Sequence, residues 1–170
     1  MTTYDFGGDT SNWITADIDN QNPYQYIDTS YIAIGSTIAS ITFTLATNGS
    51  SSTLQCDIRN NNQDVQNAFG TATLTSASAT TVTFTGSWTV AAGDFICLRV
   101  TAGDSIKYYV CASCTTANTN AGYFTSNDDN TQYNYDGNSG RPNRNSACTM
   151  TTSSTSGGTR LPPPPIQVAF

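Results

Sequence analysis

The stretch TTVTFTGSWTVAAGDFICLRV, residues 80–100, shows the two-residue period of a half-buried β-strand twice. In its first run Val82, Phe84 and Trp88 have one parity, and threonines occupy most of the other. The turn Ala91–Asp94 follows, and apolar residues then alternate again to the end of the stretch. The pattern predicts a β-hairpin, with Trp88 in the core and not at the surface.

The composition favours a single all-β domain around this stretch. The chain has 170 residues, which leaves room for one domain with a real core and little room for a second. It contains no His, no Glu and one Lys, Lys107, so all 12 acidic residues are Asp. Because strong helix formers are scarce and Thr, Ser, Asn and Gly are abundant, long helices are not expected.

Strand patterns continue on both sides of residues 80–100. They cover residues 38–47, 53–59, 71–75 and 106–111, whereas residues 115–146 form polar loops around one or two short strands. Six to nine short strands with frequent turns predict a jelly-roll-like antiparallel β-sandwich. The sequence Asn48-Gly49-Ser50 is formally a glycosylation motif, but without a secretion signal it is better explained as a hairpin turn.

The chain divides into three predicted parts: a turn-rich N-terminal arm (1–30), the sandwich domain (31–150) and a C-terminal arm (151–170). The C-terminal arm combines a Ser/Thr/Gly tract, a polyproline run that favours an extended conformation, and an apolar end. We expect it to dock on a neighbouring chain by strand addition or in a groove; folding back on its own domain is the alternative. The predicted partner-binding residues are Pro162, Pro163, Pro164, Pro165, Ile166, Val168 and Phe170.

Charge and hydropathy argue against two classes of partner. The net charge is -6, and the six basic residues are scattered, whereas nucleic-acid binding needs clustered Lys and Arg. An anionic membrane is disfavoured for the same reason, and no apolar stretch approaches the length of a membrane span. If Met1 is the native start, the first residues lack a cleavable signal, which predicts synthesis in a cytoplasm.

The absence of histidine removes the commonest general base and the commonest zinc ligand. We therefore predict a protein that is not an enzyme and needs no cofactor; a glycosidase that uses a pair of Asp residues is the enzymatic alternative.

Two motifs have metal-like spacing, and neither predicts a metal site. Cys111–Cys114 is a CxxC pair, but a second pair of zinc ligands is missing, so buried thiols or one structural disulfide explain it better. The loop 127–130, with Asp136–Asn138 nearby, offers oxygen ligands for Ca²⁺ but lacks the order of an EF-hand loop. Solvated carboxylates are the better interpretation of that loop.

Three aromatic residues are candidates for a glycan-binding platform. Tyr133 and Tyr135 lie two residues apart, and therefore on one face of an extended strand, and Trp13 is an isolated aromatic near the N-terminus. Exposed aromatic rings stack well on sugar rings because they combine apolar area with a polar edge. Packing in the core or at a subunit interface is the competing explanation for all three.

Taken in chain order, the predicted strands also resemble a known group of domains. The resemblance is carried by Ile38–Leu45, Cys56–Arg59, Val82–Phe84, Ala92–Val100 and Asn120–Ser126. Over roughly residues 30–136 the chain resembles the jelly-roll sandwich domains of phage virion proteins. It also resembles the sandwich domains of bacterial surface proteins that are similar to carbohydrate-binding modules. The resemblance implies a non-enzymatic decoration, fibre, spike or glycan-binding module, often in a trimer. No binding residue is carried over from it.

We therefore expect a structural virion protein, a capsid decoration (cement) or fibre/spike component at the virion surface. Its expected partners are other copies of itself and other virion proteins. The alternative is a carbohydrate- or host-receptor-binding module, located outside the cell.

Overall fold

A computed structural model describes residues 1–6, 12–16, 21–27, 32–60, 64–110, 121–125, 132–134 and 148–153. This part of the chain contains no helix and forms two antiparallel sheets, which confirms the all-β prediction. Its twelve strands exceed the six to nine expected, because strands of three to six residues are too short to show a full alternation. They are β1 (Thr2–Asp5), β2 (Asn12–Ala16), β3 (Gln21–Tyr26), β4 (Thr37–Thr47), β5 (Ser52–Arg59), β6 (Val65–Leu74), β7 (Thr80–Thr89), β8 (Phe95–Gly103), β9 (Ile106–Val110), β10 (Ala121–Thr125), β11 (Gln132–Asn134) and β12 (Cys148–Ser153).

The first sheet is built on β4, which is paired on both sides. Phe43 lies between Val82 of β7 and Cys148 of β12. Further along β4, Leu45 lies opposite Tyr108 of β9, so β12 and β9 follow one another along the same side of β4. Outside them, β1 pairs with β12 and β2 pairs with β9. The N-terminal strands β1 and β2 are therefore the outer row of this sheet.

The second sheet has the order β11-β10-β3-β8-β5-β6. Its outer strand β6 lies against β7 of the first sheet, where the side-chain amide of Asn67 donates to the carbonyl of Ser87 at 3.2 Å. Gly86 allows this approach, because a Cβ atom there would lie 2.8 Å from the carbonyl oxygen of Phe69. The two sheets are thus joined closely along one side of the sandwich.

The core lies between the two sheets and is filled by alternate residues of their strands. Phe43, Phe84 and Tyr108 are fully buried, with Phe43 edge-on to Phe84 at 6.1 Å and 5.9 Å from Tyr108 between ring centroids. Leu54 and Ile96 from the second sheet belong to the same cluster. Burial of large aromatic and branched side chains at this density supplies most of the driving force for folding.

The predicted hairpin in residues 80–100 is wrong, although both of its strands exist. β7 pairs with β4 in the first sheet, whereas β8 pairs with β5 and β3 in the second. The turn between them crosses from one sheet to the other. Asp94 holds the turn: its Oδ2 accepts from the backbone N–H of Ala91 and from Nε1 of Trp88, both at 2.7 Å. Trp88 packs against the core, as its parity predicts.

The turn at Asn48–Ser50 also crosses between sheets, from β4 to β5, and is therefore not the hairpin turn expected. Asp104 fixes it by accepting from the backbone N–H of Ser50 at 2.6 Å and from its hydroxyl at 3.0 Å. These bonds, the backbone one first, lower the pKa of Asp104 below its ordinary value. The side-chain amide of Asn48 donates a hydrogen bond to the hydroxyl of Ser105 at 3.0 Å.

Three cysteines, Cys56, Cys97 and Cys148, are buried free thiols. Burial raises the pKa of each, and that of Cys97 reaches about 12. Because the thiolate is the nucleophile, these side chains act as small apolar core residues. Cys111–Cys114 lies outside the described residues.

Candidate binding surface at Trp13

Strands β2 and β9 place an aromatic and a cationic side chain side by side on the outer face of the first sheet. Trp13 lies directly opposite Tyr109, and Thr15 lies opposite Lys107. Alternation fixes their direction, because Tyr108, between Lys107 and Tyr109, is buried in the core. Trp13 and Thr15 are exposed, Lys107 is partly exposed and Tyr109 is largely covered. We call these four residues the Trp13 surface.

The side chains of the Trp13 surface contact one another in defined geometries. The Trp13 and Tyr109 rings meet edge to face, with centroids 6.4 Å apart and an interplanar angle of 67°. The Lys107 ammonium lies 5.2 Å from the centroid of the Trp13 ring, within the range of a cation–π interaction. Together these contacts hold the indole in one orientation while 52% of the residue stays exposed.

The Trp13 surface is supported from beneath by buried residues. Tyr109 packs with Ala46 of β4 in a small buried cluster separate from the main core. Ala46 is fully buried and is paired with Lys107 across the sheet. Tyr109 is therefore fixed by the central strand of the sheet, and Trp13 in turn rests on Tyr109.

A hydroxyl-rich face continues from the Trp13 surface across the same sheet. Thr42 of β4 and Thr83 of β7 share a hydrogen bond of 2.8 Å between their hydroxyls. At the far side, Thr3 of β1 and Thr151 of β12 are similarly joined at 3.3 Å. Such cross-strand threonine pairs stabilise a sheet. Asp5, which shares the exposed face of β1 with Thr3 and lies opposite Thr149, adds a carboxylate to this face of methyl and hydroxyl groups.

A second polar cluster lies on the outer face of the second sheet, at Asp57. Asp57 is fully buried, and its Oδ2 accepts from Nε of Arg99 at 2.6 Å. Nη2 of Arg59 is 3.6 Å from the same oxygen, and Nε2 of Gln55 donates to Oδ1 at 2.7 Å. Because the buried carboxylate is matched by two guanidinium groups, we interpret this cluster as an ionic link between β5 and β8.

The structure places only some of the residues predicted from the sequence. Trp13 lies in the first sheet, whereas Tyr133 belongs to β11 in the second and is paired there with Tyr123. They are therefore not neighbours on one strand face. Several other predicted residues lie outside the part of the chain that the structure describes. They are Tyr135, the loop 127–130, Asp136–Asn138 and the C-terminal residues Pro162, Pro163, Pro164, Pro165, Ile166, Val168 and Phe170.

The sequence did not single out Lys107 and Tyr109 as site residues. Their alternation with Ile106 and Tyr108 is the sequence feature that places them on the face opposite the core. The sequence pattern does not show which strand pairs with β9. Trp13 is far from Lys107 along the chain, and the pairing of β2 with β9 is set by the tertiary fold.

No protein-family model, curated protein sequence or solved structure matches this chain. Among the described residues, no group of three His, Cys, Asp or Glu side chains is placed to hold a metal ion. In the same part of the chain, no helix has the length and apolar character that crossing a membrane requires. Function is therefore inferred from the Trp13 surface and the sheet edge beside it.

Proposed function

We propose that this chain is a non-enzymatic structural component of a virion surface, a capsid decoration or fibre module, which associates with other copies of itself and with other virion proteins. The observation that supports association most is the half-exposed Trp13 on an outer strand. Tryptophan is the residue type most enriched at the energetic centres of protein interfaces. The indole is already in contact with Tyr109 and Lys107, and a side chain that is positioned before binding loses less conformational freedom on binding, which favours affinity.

The edge formed by β1 and β2 supports the same proposal. Within the described residues these two strands pair on one side only, with β12 and β9. A strand at a sheet edge presents N–H and C=O groups to solvent and is a template for a further strand. Strand addition at β2 would combine backbone hydrogen bonds with burial of Trp13.

The charge distribution also favours association through this face. The chain carries a net charge of -6, so two copies repel one another on average. The Trp13 surface contains a cation, Lys107, and the face beside it presents the uncharged hydroxyls of Thr42 and Thr83. Lys107 therefore reduces the negative charge that two copies bring together when they meet through the Trp13 surface.

Replacing Trp13 with alanine is expected to weaken self-association by tenfold or more, since an interface hot spot contributes about 2 kcal/mol or more. Sedimentation velocity over a range of protein concentrations measures this. Ile34→Ala is the matched control, because Ile34 is also a large exposed apolar residue, at 62%. Equal association of the Trp13→Ala variant and the parent chain would rule out this surface as the interface.

A second function, binding of a carbohydrate or a host receptor, is favoured by the composition of the same surface. The exposed indole of Trp13 offers apolar area for the C–H face of a sugar ring. The ammonium of Lys107 and the hydroxyl of Thr15 stand next to it as hydrogen-bonding groups. An apolar platform with a few polar groups around it is the usual composition of a small-ligand site.

A further inference from the structure

We infer that the Trp13 surface binds a carboxylate-bearing sugar residue of an acidic glycan. The inference rests on the second of the two functions proposed above, glycan binding, and it names the class of ligand. It starts from the observation that the single lysine of the chain, Lys107, lies 5.2 Å from the centroid of the exposed Trp13 ring. The chain therefore has its one lysine at the aromatic platform.

The geometry suits a sugar that carries an acid group. A uronic acid has its carboxylate one bond outside the pyranose ring, so a sugar stacked on the exposed part of the indole can direct that group towards Lys107. The ammonium has three N–H donors, and a charge-assisted hydrogen bond to carboxylate is stronger than one to a neutral hydroxyl. Lys107 therefore favours the acidic sugar over its neutral counterpart.

The acidic character of the whole chain limits this recognition to short range. A net charge of -6 repels an anionic glycan at a distance, but charges more than about 8 Å apart are largely screened at physiological ionic strength. At contact, the sugar ring lies on Trp13 and its carboxylate faces Lys107, with the uncharged Thr15 beside them. The expected binding is weak and decreases as salt rises.

The test uses the full chain and two oligosaccharides of equal length, hexagalacturonate and cellohexaose, with affinities measured by titration calorimetry. We expect hexagalacturonate to bind at least tenfold more tightly than cellohexaose. Lys107→Gln is expected to weaken hexagalacturonate binding about tenfold, because the charge-assisted hydrogen bond to the carboxylate is replaced by one from a neutral donor. Lys107→Arg is the matched control and retains binding within about threefold. Trp13→Ala removes binding of both oligosaccharides.

The outcomes separate this inference from the function on which it rests. Equal binding of the two oligosaccharides, unchanged by Lys107→Gln, overturns the acidic ligand and leaves glycan binding in place. Failure of both oligosaccharides to bind at millimolar concentration overturns the acidic ligand and counts against glycan binding. Melting temperatures of the variants within a few degrees of the parent chain show that the loss of binding is not unfolding.

Discussion

Replacing Asp57 with alanine is expected to lower the free energy of unfolding by about 3–5 kcal/mol, the usual cost of removing one partner from a buried ion pair. Asp57 is fully buried, and it faces the guanidinium groups of Arg99 at 2.6 Å and Arg59 at 3.6 Å. Without the carboxylate, two cations lie close together with their main counter-charge removed. The amide of Gln55 also loses its acceptor.

Urea denaturation, followed by circular dichroism, measures the effect. Asp64→Ala is the matched control, because Asp64 is an exposed aspartate close to the same strand, and its loss should change stability by only about 0.5 kcal/mol. A second comparison isolates the ion pair: Arg99→Ala should cost less in the Asp57→Ala background than in the parent chain. A cost below 1 kcal/mol for Asp57→Ala would contradict the ionic link between β5 and β8.

Asp94→Ala is expected to have the next largest effect, a loss of about 2–4 kcal/mol, since hydrogen bonds to a charged acceptor contribute about 1.5–3 kcal/mol each. Asp94 is almost completely buried, and one oxygen, Oδ2, accepts from both Trp88 and Ala91 at 2.7 Å. Removing it leaves both donors without that acceptor at the turn that carries the chain from the first sheet to the second.

The asparagine variant at this position provides the control. Because both donors use the same oxygen, the amide oxygen of Asp94→Asn can replace it geometrically while the charge is lost. We therefore expect Asp94→Asn to lose less than half as much stability as Asp94→Ala in thermal unfolding. If the two variants are equally unstable, charge and not the shared acceptor geometry holds the turn, and the interpretation of Asp94 is wrong.

The comparison of β7 and β8 shows how far the sequence alone leads. The alternation in residues 80–100 correctly predicts two strands and the inward position of Trp88. It does not predict that they belong to different sheets, because alternation reports which face of a strand is buried and says nothing about its neighbours. The pairing is decided by contacts with β4 and β5, which precede the stretch by many residues.

The candidate site is also only partly predictable from alternation, because it depends on which strands are neighbours. Trp13 was identifiable as an isolated aromatic, but Lys107 and Tyr109 join it only through the pairing of β2 with β9. The burial of Asp57 is still less predictable from the sequence. Its parity places it on the face away from Leu54 and Ile58, where an aspartate is expected to be solvated, and yet it is fully buried. Burial of a charge on an outer face depends on what surrounds it, which no local pattern encodes.

The two proposed functions make the same demand on the Trp13 surface, namely that it becomes covered when the chain associates or binds. The indole is half-exposed in the isolated chain, and its orientation is set by Tyr109 and Lys107. The chain has two tryptophans, and Trp88 is packed against the core. Tryptophan fluorescence therefore reports on Trp13 through its exposed component.

Acrylamide quenching of tryptophan fluorescence tests this demand most directly, with Trp13→Phe identifying the Trp88 component. The measurement compares the dilute chain with the chain in its self-associated state and in the presence of hexagalacturonate. We expect efficient quenching of Trp13 in the dilute chain and a severalfold decrease in at least one of the two bound states. Unchanged quenching of Trp13 in both states would contradict the central claim that this surface is where the protein binds its partners.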